Sequence, residues 1–243
     1  MKILAIDSSA VSASCAVTDD LRLISQCFAN VGLTHSETLL TLIDSALTNA
    51  KLTLSDIDLL AVTNGPGSFT GIRIGVSTVK GLSFTHNIPC VGVSTLESIA
   101  SGFDGMSGQY CEDNNKQDIC CCVMDARRNQ VYNALFNIGQ KPVRICEDRA
   151  IDIEALAAEL EGYGDRRIIL CGDGADMCFA KLGERLQNIR LAPAQLRWQT
   201  GYGVASAALR ALQEGCAVDC EGLNPVYLRP SQAERELKKL QES

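Results

Sequence analysis

Positive charge and histidine are both scarce in this chain. Its 243 residues contain 22 lysines and arginines against 29 aspartates and glutamates, which gives a formal net charge of −7. Because contacts to nucleic-acid phosphates need clustered Lys and Arg, this balance disfavours a stand-alone nucleic-acid-binding protein. The two histidines, His35 and His86, are too few for several convergent catalytic sites, and no serine lies in a Gly-x-Ser-x-Gly elbow.

The sequence also lacks any Cys-x-x-Cys pair, although it has twelve cysteines. A zinc ribbon or a thioredoxin-type motif therefore has little support. The cysteines lie inside apolar runs such as 119–123, where cysteine behaves as a small hydrophobic residue, and we expect no redox role for them. The apolar stretch before Asp7 is too short for a signal peptide or a membrane span. Together these features predict a protein of the reducing cytoplasm that does not bind membranes.

Strand-like segments occur in two similar groups. Each group has three short apolar runs separated by turn residues, and in each an aspartate (Asp7 or Asp125) stands where the first run meets its turn. The predicted strands are 2–6, 12–17 and 21–28 in the first group, and 119–124, 130–137 and 143–147 in the second. This pattern predicts two three-stranded meanders and an internal duplication.

Each predicted meander is followed by alternating helices and strands. The predicted helices are 34–50, 70–85, 95–103, 153–160, 175–186 and 203–213, and the further strands are 57–63, 89–93 and 167–171. Such alternation indicates an α/β fold whose sheets are covered by helices. The polar, glycine-containing stretch 105–116 has the composition of a loop or linker between the two halves.

A glycine-rich run connects a predicted strand to a predicted helix at 64–75, with the sequence Asn-Gly-Pro-Gly-Ser-Phe-Thr-Gly-Ile-Arg-Ile-Gly. Glycine and proline favour a tight turn, and Ser68 or Thr70 can cap the helix that follows. The run lacks the Gly-Lys-Ser/Thr ending of a P-loop and the glycine spacing of a dinucleotide fingerprint. A structural turn and a phosphate-binding turn both remain open.

Two predicted helices have more apolar surface than one core contact needs. The apolar side chains of 34–50 spread over an arc of roughly 160°, against about 100° for one contact. Helix 70–85 has apolar residues on two sides and leaves Arg73 and Lys80 as a narrow charged strip. Either these helices are buried within their own domain, or they form a protein–protein interface in which small residues permit close approach.

Five stretches spread over nearly the whole chain resemble the TsaB family, the non-catalytic subunit of the bacterial machinery that makes threonylcarbamoyladenosine on tRNA. They are Leu-Ala-Ile-Asp-Ser-Ser at 4–9, His-Ser-Glu at 35–37, the glycine-rich run 64–75, Asp-Ala-Arg-Arg at 125–128 and Pro-Val-Tyr-Leu-Arg at 225–229. The resemblance implies a duplicated α/β fold of the actin-like class, which includes sugar kinases, Hsp70 and ribonuclease H-like domains. We expect an N-terminal lobe at 1–104 and a C-terminal lobe at 105–243 with a charged C-terminal tail.

The resemblance also implies a scaffold and activating role in a complex that transfers a threonylcarbamoyl group to adenosine in tRNA. TsaB-like proteins pair with the catalytic paralogue TsaD and work with the ATPase TsaE. We therefore expect this chain to pair with a TsaD-like partner, to form homodimers when alone, and to meet tRNA only through the complex. The expected partner interface comprises His35, Thr38, Leu39, Leu42, Ile43, Ala46, Ile72, Arg73, Gly75, Val76 and Val79.

No catalytic residue, metal or cofactor is expected in this chain. TsaD-like enzymes carry Gly-Val-Asn-His-Met-Glu-Gly-His, whose histidines bind a metal, where this chain has Gly-Val-Ser-Thr-Leu-Glu-Ser-Ile at 92–99. Thr95 and Ile99 replace the histidines, and isoleucine cannot be a ligand. A vestigial nucleotide site of the fold would involve Asp7, Ser8, Ser9, Asp125, Gly172 and Gly174. Bulky Arg127 and the negative charge of Asp173 argue against productive ATP binding there.

Several alternatives remain at this point. The main one is a stand-alone ATP-dependent phosphotransferase of the same fold, in which Asp7 or Asp125 positions metal and phosphate. His35 and Glu37 suggest either acid–base work or a capped helix start, and the capped start is the simpler interpretation. Arg127 and Arg128 form either a tRNA phosphate contact or a solvated surface pair. The charged stretch 231–243 is interpreted as a helix or tail that helps to dock a partner.

Overall fold

The first of two mixed sheets is built from the N-terminal part of the chain, in a computed structural model that describes residues 1–32, 34–106 and 117–229. Its strands are β1 (Lys2–Asp7), β2 (Ala13–Asp19), β3 (Arg22–Ala29), β4 (Leu59–Gly65) and β5 (Cys90–Ser94). Their order is β3-β2-β1-β4-β5, with β1 antiparallel to β2 and parallel to β4. The predicted meander of 2–28 is confirmed.

The second sheet repeats this arrangement. Its strands are β6 (Ile119–Asp125), β7 (Gln130–Asn137), β8 (Val143–Arg144), β9 (Arg149–Asp152), β10 (Ile168–Cys171) and β11 (Ile189–Leu191). The order is β11-β10-β6-β7-β8, and β9 also pairs with β7. The first strand of each meander therefore lies beside both its hairpin partner and a parallel strand. The duplicated α/β fold predicted from the sequence is confirmed.

Helices pack against both sheets. On the first sheet these are α1 (His35–Ala50) and α2 (Phe69–His86); α3 (Thr95–Ser101) follows β5. The second half contributes α4 (Ile153–Glu161), α5 (Ala175–Leu182), α6 (Ala194–Arg197) and α7 (Gly201–Gln213). Alternate residues of β1 show the division of the sheet: Leu4 and Ile6 join the cluster under α1 and α2, whereas Ile3 and Ala5 face the other side. Within the described residues, no helix is both long and apolar enough to cross a membrane.

Local sequence signals place the starts and ends of α1 and α2. The Glu37 carboxylate accepts hydrogen bonds from the backbone N–H and the hydroxyl of Thr34, at 3.3 and 2.9 Å, which caps the start of α1. The Ser68 hydroxyl accepts from the Gly71 N–H at 3.3 Å at the start of α2. Each helix ends at a residue with a left-handed backbone, Lys51 (φ 55°) and Asn87 (φ 52°).

Each half of the chain contributes one helix to the sheet of the other half, and we call these two, α3 and α7, the exchanged helices. Helix α7 packs Val204 and Ala208 on Ile3 and Ala5 of the first sheet. Helix α3 packs in a cluster with Cys120, Cys122 and other residues of the second sheet. The two helices also contact each other. The predicted lobe boundary at residue 104/105 stays a prediction. Helix α3 precedes that boundary and packs on the second sheet, and α7 follows it and packs on the first.

Three segments differ from the sequence prediction. Only Val143–Arg144 (β8) of the strand predicted at 143–147 is a strand, because residues 145–148 turn away and Asp148 accepts hydrogen bonds from Ser94 and Arg144; β9 follows at Arg149–Asp152. The helix predicted at 175–186 ends at Leu182, before Gly183, and the chain turns into β11, which was not predicted. Helix α6 was not predicted either. Most of the predicted linker, 107–116, and the charged stretch 231–243 lie outside the described residues.

Candidate functional site

The glycine-rich run packs the start of α2 against the turn that follows β1. A Cβ atom on Gly71 would lie 2.1 Å from the Ser8 carbonyl oxygen, and one on Gly67 would lie 2.5 Å from that of Ser9. A Cβ atom on Gly75 would lie 2.4 Å from the hydroxyl oxygen of Ser8. The Ser8 hydroxyl donates to the Gly71 carbonyl oxygen at 2.9 Å. Protein atoms thus fill the space that a phosphate would need next to Gly71 and Gly75, which supports the structural interpretation for that part of the run, whereas Gly67 also lines an open cleft.

A cleft of about 560 Å³ lies where the ends of β1 and β6 meet. Of the six residues predicted for a vestigial nucleotide site, Ser9 and Asp125 line this cleft. The other four are buried behind it: Asp7, Ser8, Gly172 and Gly174. The duplication explains this gathering, since it brings equivalent strand ends of the two sheets to the same place.

The carboxylate of Asp7 is engaged by its own turn. It is fully buried and accepts hydrogen bonds from the N–H and the hydroxyl of Ser9, at 3.0 and 2.9 Å. Burial raises the pKa of Asp7 above its usual value, and the hydrogen bonds from Ser9 oppose that rise. A carboxylate held in this way orders the turn.

Asp173 is a largely buried carboxyl group in the lining of the cleft. Burial raises its pKa from 3.8 to about 6, and the charges of Asp125 and Asp7 add to the rise. A hydrogen bond of 3.1 Å from Nε2 of Gln199 opposes it. Two acidic side chains, Asp125 and Asp173, therefore line the cleft with Asp7 buried behind them, and a bound anion would be repelled unless the cations of the lining, Arg127 and Arg229, neutralise them.

The turn after β6 carries two arginines, of which Arg127 lines the cleft. Arg127, Arg128 and Asn129 all have left-handed backbones, with φ of 64°, 55° and 63°. The Asp125 carboxylate holds the turn by accepting from the Arg127 N–H at 2.7 Å. Three successive non-glycine residues in this region are costly, and such conformations concentrate at functional sites. The predicted tRNA contact of Arg127 and Arg128 stays a prediction.

The positions equivalent to the TsaD metal-binding histidines are filled by packing. Ile99 lies in the apolar cluster of α3 and the second sheet. Thr95 is fully buried, and its hydroxyl has no hydrogen-bond partner among the described residues. Ser94 caps α3 by accepting from the Glu97 N–H at 3.2 Å, and its hydroxyl donates to Asp148 at 2.5 Å. These contacts hold α3 in place and leave no metal-binding side chain at Thr95 or Ile99.

A second candidate surface is a groove of about 510 Å³ between α1 and α2. Four of the predicted interface residues, His35, Thr38, Leu42 and Arg73, reach the surface of the chain. The remaining seven lie in the core of the first lobe: Leu39, Ile43, Ala46, Ile72, Gly75, Val76 and Val79. Leu39 also lines the floor of the groove, whereas the burial of the other six means that other side chains form the exposed face. Leu40, which is 60% exposed, and Ile74 line the groove.

The C-terminal segment contributes residues that sequence reasoning did not assign to a site. The ring of Tyr227 stacks on that of Phe69, with centroids 4.0 Å apart, and its hydroxyl accepts from Nε of Arg73 at 2.8 Å. Arg229 donates to the Ala126 carbonyl oxygen at 2.9 Å and lines the cleft. The motif at 225–229 supported the resemblance, but no local signal indicates contacts with residues so distant in the sequence.

Comparisons with known proteins agree with this architecture. A family model described as TsaD, tRNA N6-adenosine threonylcarbamoyltransferase, matches residues 30–181. The tRNA threonylcarbamoyladenosine biosynthesis protein TsaB of Buchnera aphidicola subsp. Schizaphis graminum is 41% identical over 179 residues, which cover 71% of this chain and 78% of the relative. The protein of the same name from Escherichia coli (strain K12) is 28% identical and covers 98% of both chains.

A solved structure gives the same picture of the fold. YeaZ from Pseudomonas aeruginosa is 25% identical to this chain and superimposes with a TM-score of 0.74. The similarity covers 93% of this chain and 99% of that chain. Both halves of the duplicated fold are therefore shared.

Proposed function

This chain belongs to the TsaB family of tRNA threonylcarbamoyladenosine biosynthesis proteins, and we propose that it acts there as a non-catalytic subunit that supports a TsaD-like transferase. The transfer of the threonylcarbamoyl group to adenosine in tRNA would occur on that paralogue. The observation that carries the proposal is the contrast between a buried region around α3 and an exposed groove. The equivalent of the catalytic metal site is packed with apolar side chains, whereas an apolar groove between α1 and α2 remains on the surface.

The packed α3 region supports the non-catalytic part of the proposal. Thr95 and Ile99 stand where the family of the paralogue has metal-binding histidines, and both are buried. The cleft nearby carries Asp125 and Asp173 beside Arg127 and Arg229, so its lining has no excess of positive charge to attract a polyphosphate. We therefore propose no catalytic residue and no cofactor for this chain.

The groove between α1 and α2 is the proposed docking surface for the TsaD-like partner. Leu40 and Ile74 supply apolar area, and Ser77 and Thr78 are small residues that let a partner helix approach closely. Phe84 of α2 is 77% exposed and extends the apolar surface along the helix. Exposed apolar surface of this kind marks association sites, so we propose that two copies of this chain cover it when the partner is missing.

Three further elements of the proposal follow from the family. A TsaE-like ATPase works with the pair, tRNA reaches the chain only through the assembled complex, and the complex is cytoplasmic. The net charge of −7 supports the second of these, because a chain with this charge is repelled by nucleic acid unless a partner supplies cations.

The substitution Ser77→Arg tests the docking surface without touching the core. Ser77 is exposed and lines the groove, so an arginine there adds bulk and charge where the partner helix would lie. We expect the dissociation constant of the heterodimer to rise at least about tenfold, measured by size-exclusion light scattering and titration calorimetry. Val76 is unsuitable for this purpose: it is 3% exposed, and an arginine there would disrupt the core.

Thr85→Arg is the matched control. It lies on the same helix, about 12 Å further along, is exposed, and does not line the groove. Wild-type affinity for the partner in Ser77→Arg, with far-UV circular dichroism unchanged, would remove the groove as the interface. A wild-type chain that fails to bind the partner but turns over Mg-ATP alone would replace the scaffold role with the phosphotransferase alternative.

A further inference from the structure

Three cysteine thiols meet on the inner face of the second sheet. Cys120 and Cys122 are two residues apart on β6 and therefore share a face, and Cys171 of β10 is the parallel pairing partner of Cys122. The Sγ atoms are separated by 3.1 Å (Cys120 and Cys171), 3.6 Å (Cys120 and Cys122) and 3.7 Å (Cys122 and Cys171). The three sulfur atoms form a compact triangle.

The size of the triangle is close to that of a three-sulfur metal site. An ion bound by thiolates at about 2.3 Å has sulfur–sulfur separations of roughly 3.8–4.0 Å. The triangle would have to widen by less than about 1 Å to accept such an ion. Among the described residues, this is the one group of three or more His, Cys, Asp or Glu side chains whose donor atoms lie close enough together to share an ion.

The surroundings decide which ion fits. All three cysteines are fully buried, and the side chains around them include Leu96, Phe103 and Phe136. This packing excludes water, and no His, Asp or Glu of the described chain completes the set. Structural zinc takes four ligands, whereas soft sulfur donors in low number suit Cu(I). A single positive charge also needs only one thiolate to balance it in an apolar core.

Met124 links the thiols to the cleft. It follows Cys120 and Cys122 at the next inward position of β6, belongs to the same apolar cluster, and lines the cleft. Its thioether is itself a soft donor for Cu(I). A row of sulfur atoms thus runs along one face of the strand from the cleft into the core, which supplies an entry path for an ion.

We propose that Cys120, Cys122 and Cys171 form a buried binding site for Cu(I), with Met124 on its path of entry. Binding leaves the copper in the Cu(I) state, and each sulfur that coordinates as a thiolate releases its proton to solvent. The site is separate from the groove between α1 and α2 and does not depend on the proposed docking function.

A competition titration tests the site. The full-length chain, reduced and kept free of oxygen, is titrated with Cu(I) in the presence of a chromophoric Cu(I) chelator. We expect one equivalent of copper bound more tightly than any other, and a rise in Tm of about 5 °C on loading. Cys122→Ala should lower the apparent affinity of that equivalent at least about tenfold, since one of three ligands is lost.

Cys178→Ala is the matched control, because this thiol is fully buried in the outer cluster of the same lobe and lies outside the triangle. It should bind copper as the wild type does. If Cys122→Ala does not fold by circular dichroism, Cys120→Ala makes the same test. The proposal is overturned if the folded Cys122→Ala or Cys120→Ala variant binds Cu(I) as the wild type does. It is also overturned if Cys178→Ala loses as much Cu(I) affinity as the cluster variant, or if the three thiols bind Zn(II) more tightly than Cu(I).

Discussion

The burial of Asp173 lowers the free energy of unfolding by an amount that depends on pH. Burial raises its pKa in the folded chain to about 6, above the value of 3.8 for an unperturbed aspartate. Well below pH 3.8 the group is protonated in both the folded and the unfolded state and contributes nothing. As pH rises to 6 the unfolded chain loses this proton first, so the folded state is progressively destabilised, and above pH 6 the full cost remains.

The substitution Asp173→Asn should therefore stabilise the chain, and more at neutral than at acidic pH. We expect the free energy of unfolding to rise by about 1–3 kcal/mol at pH 7.5 and by less than about 1 kcal/mol at pH 4, measured by urea titration. The amide can donate to Oε1 of Gln199, which has no hydrogen-bond partner among the described residues. Asp44→Asn, at an exposed position, is the control. A stabilisation that is equal at both pH values would contradict the assigned cause.

Cleft residues divide into those that the sequence predicts and those that it does not. Ser9 and Asp125 could be predicted, because the duplicated meanders imply that β1 and β6 end side by side. Trp198 and Arg229 also line the cleft, but they come from segments without strand or helix periodicity. Their positions depend on contacts such as the one between Arg229 and Ala126, which are 103 residues apart in sequence. Local patterns carry no information about such contacts.

At the scale of the element, the start of α2 depends on glycines that permit close packing. We expect Gly71→Ala to lower the free energy of unfolding by about 1–3 kcal/mol, because the Cβ atom of the alanine would overlap the Ser8 carbonyl oxygen. Gly81→Ala on the same helix is the matched control. Gly81 is exposed and has nothing within 4 Å of its Cβ position, so alanine there should stabilise the chain by about 0.5–1 kcal/mol.

Urea unfolding of both variants separates packing from helix propensity. If the glycines served only backbone flexibility, the two substitutions would change stability in the same direction. Opposite signs are the expected result. Equal stabilisation by Gly71→Ala and Gly81→Ala would show that α2 can move away from the turn after β1 without loss, and that the close approach is not needed.

Helix periodicity predicted the positions of α1 and α2 within two residues at each end, but not which side each apolar residue faces. An apolar arc wider than one contact fits both a deeply buried helix and an interface helix. The structure buries Val76 and Val79 in the first-lobe core and leaves Leu40 exposed. The distinction depends on where the sheet lies relative to the helix, which the periodicity of a single helix does not contain.

At the scale of the whole molecule, charged side chains join the two halves. Arg210 of α7 donates to Asp104 at 2.9 Å. Arg144 of β8 donates to Glu97 of α3 at 3.2 Å. A further bond of 2.6 Å links Arg144 to Asp148. These part-buried contacts lie beside the exchanged helices. They fix α3 and α7 in the positions where each covers the sheet of the other half.

The exchange of helices predicts that the segment 1–104 does not fold by itself. In the whole chain, α7 covers Ile3, Ala5 and Val91 on the inner face of the first sheet. Without α7 these side chains would be exposed to water, at a cost of about 1.5–3 kcal/mol for each large one. We expect the isolated segment to bind a hydrophobic dye and to lose its structure gradually on heating, whereas the full chain unfolds in one cooperative transition by circular dichroism.

Restoring the missing helix makes this test specific. A variant in which 1–104 continues through a flexible Gly/Ser linker into 201–213 should regain a cooperative transition, since the linker returns Val204 and Ala208 to the inner face of the sheet. The same fusion with Val204→Asp and Ala208→Asp is the control, because two buried carboxylates would prevent that packing. A monomeric, cooperatively folded 1–104 segment would contradict the prediction and make the first lobe an independent domain. If the isolated segment 1–104 fails to fold, as we expect, then residue 104/105 divides a sequence repeat and the unit that folds is the whole chain.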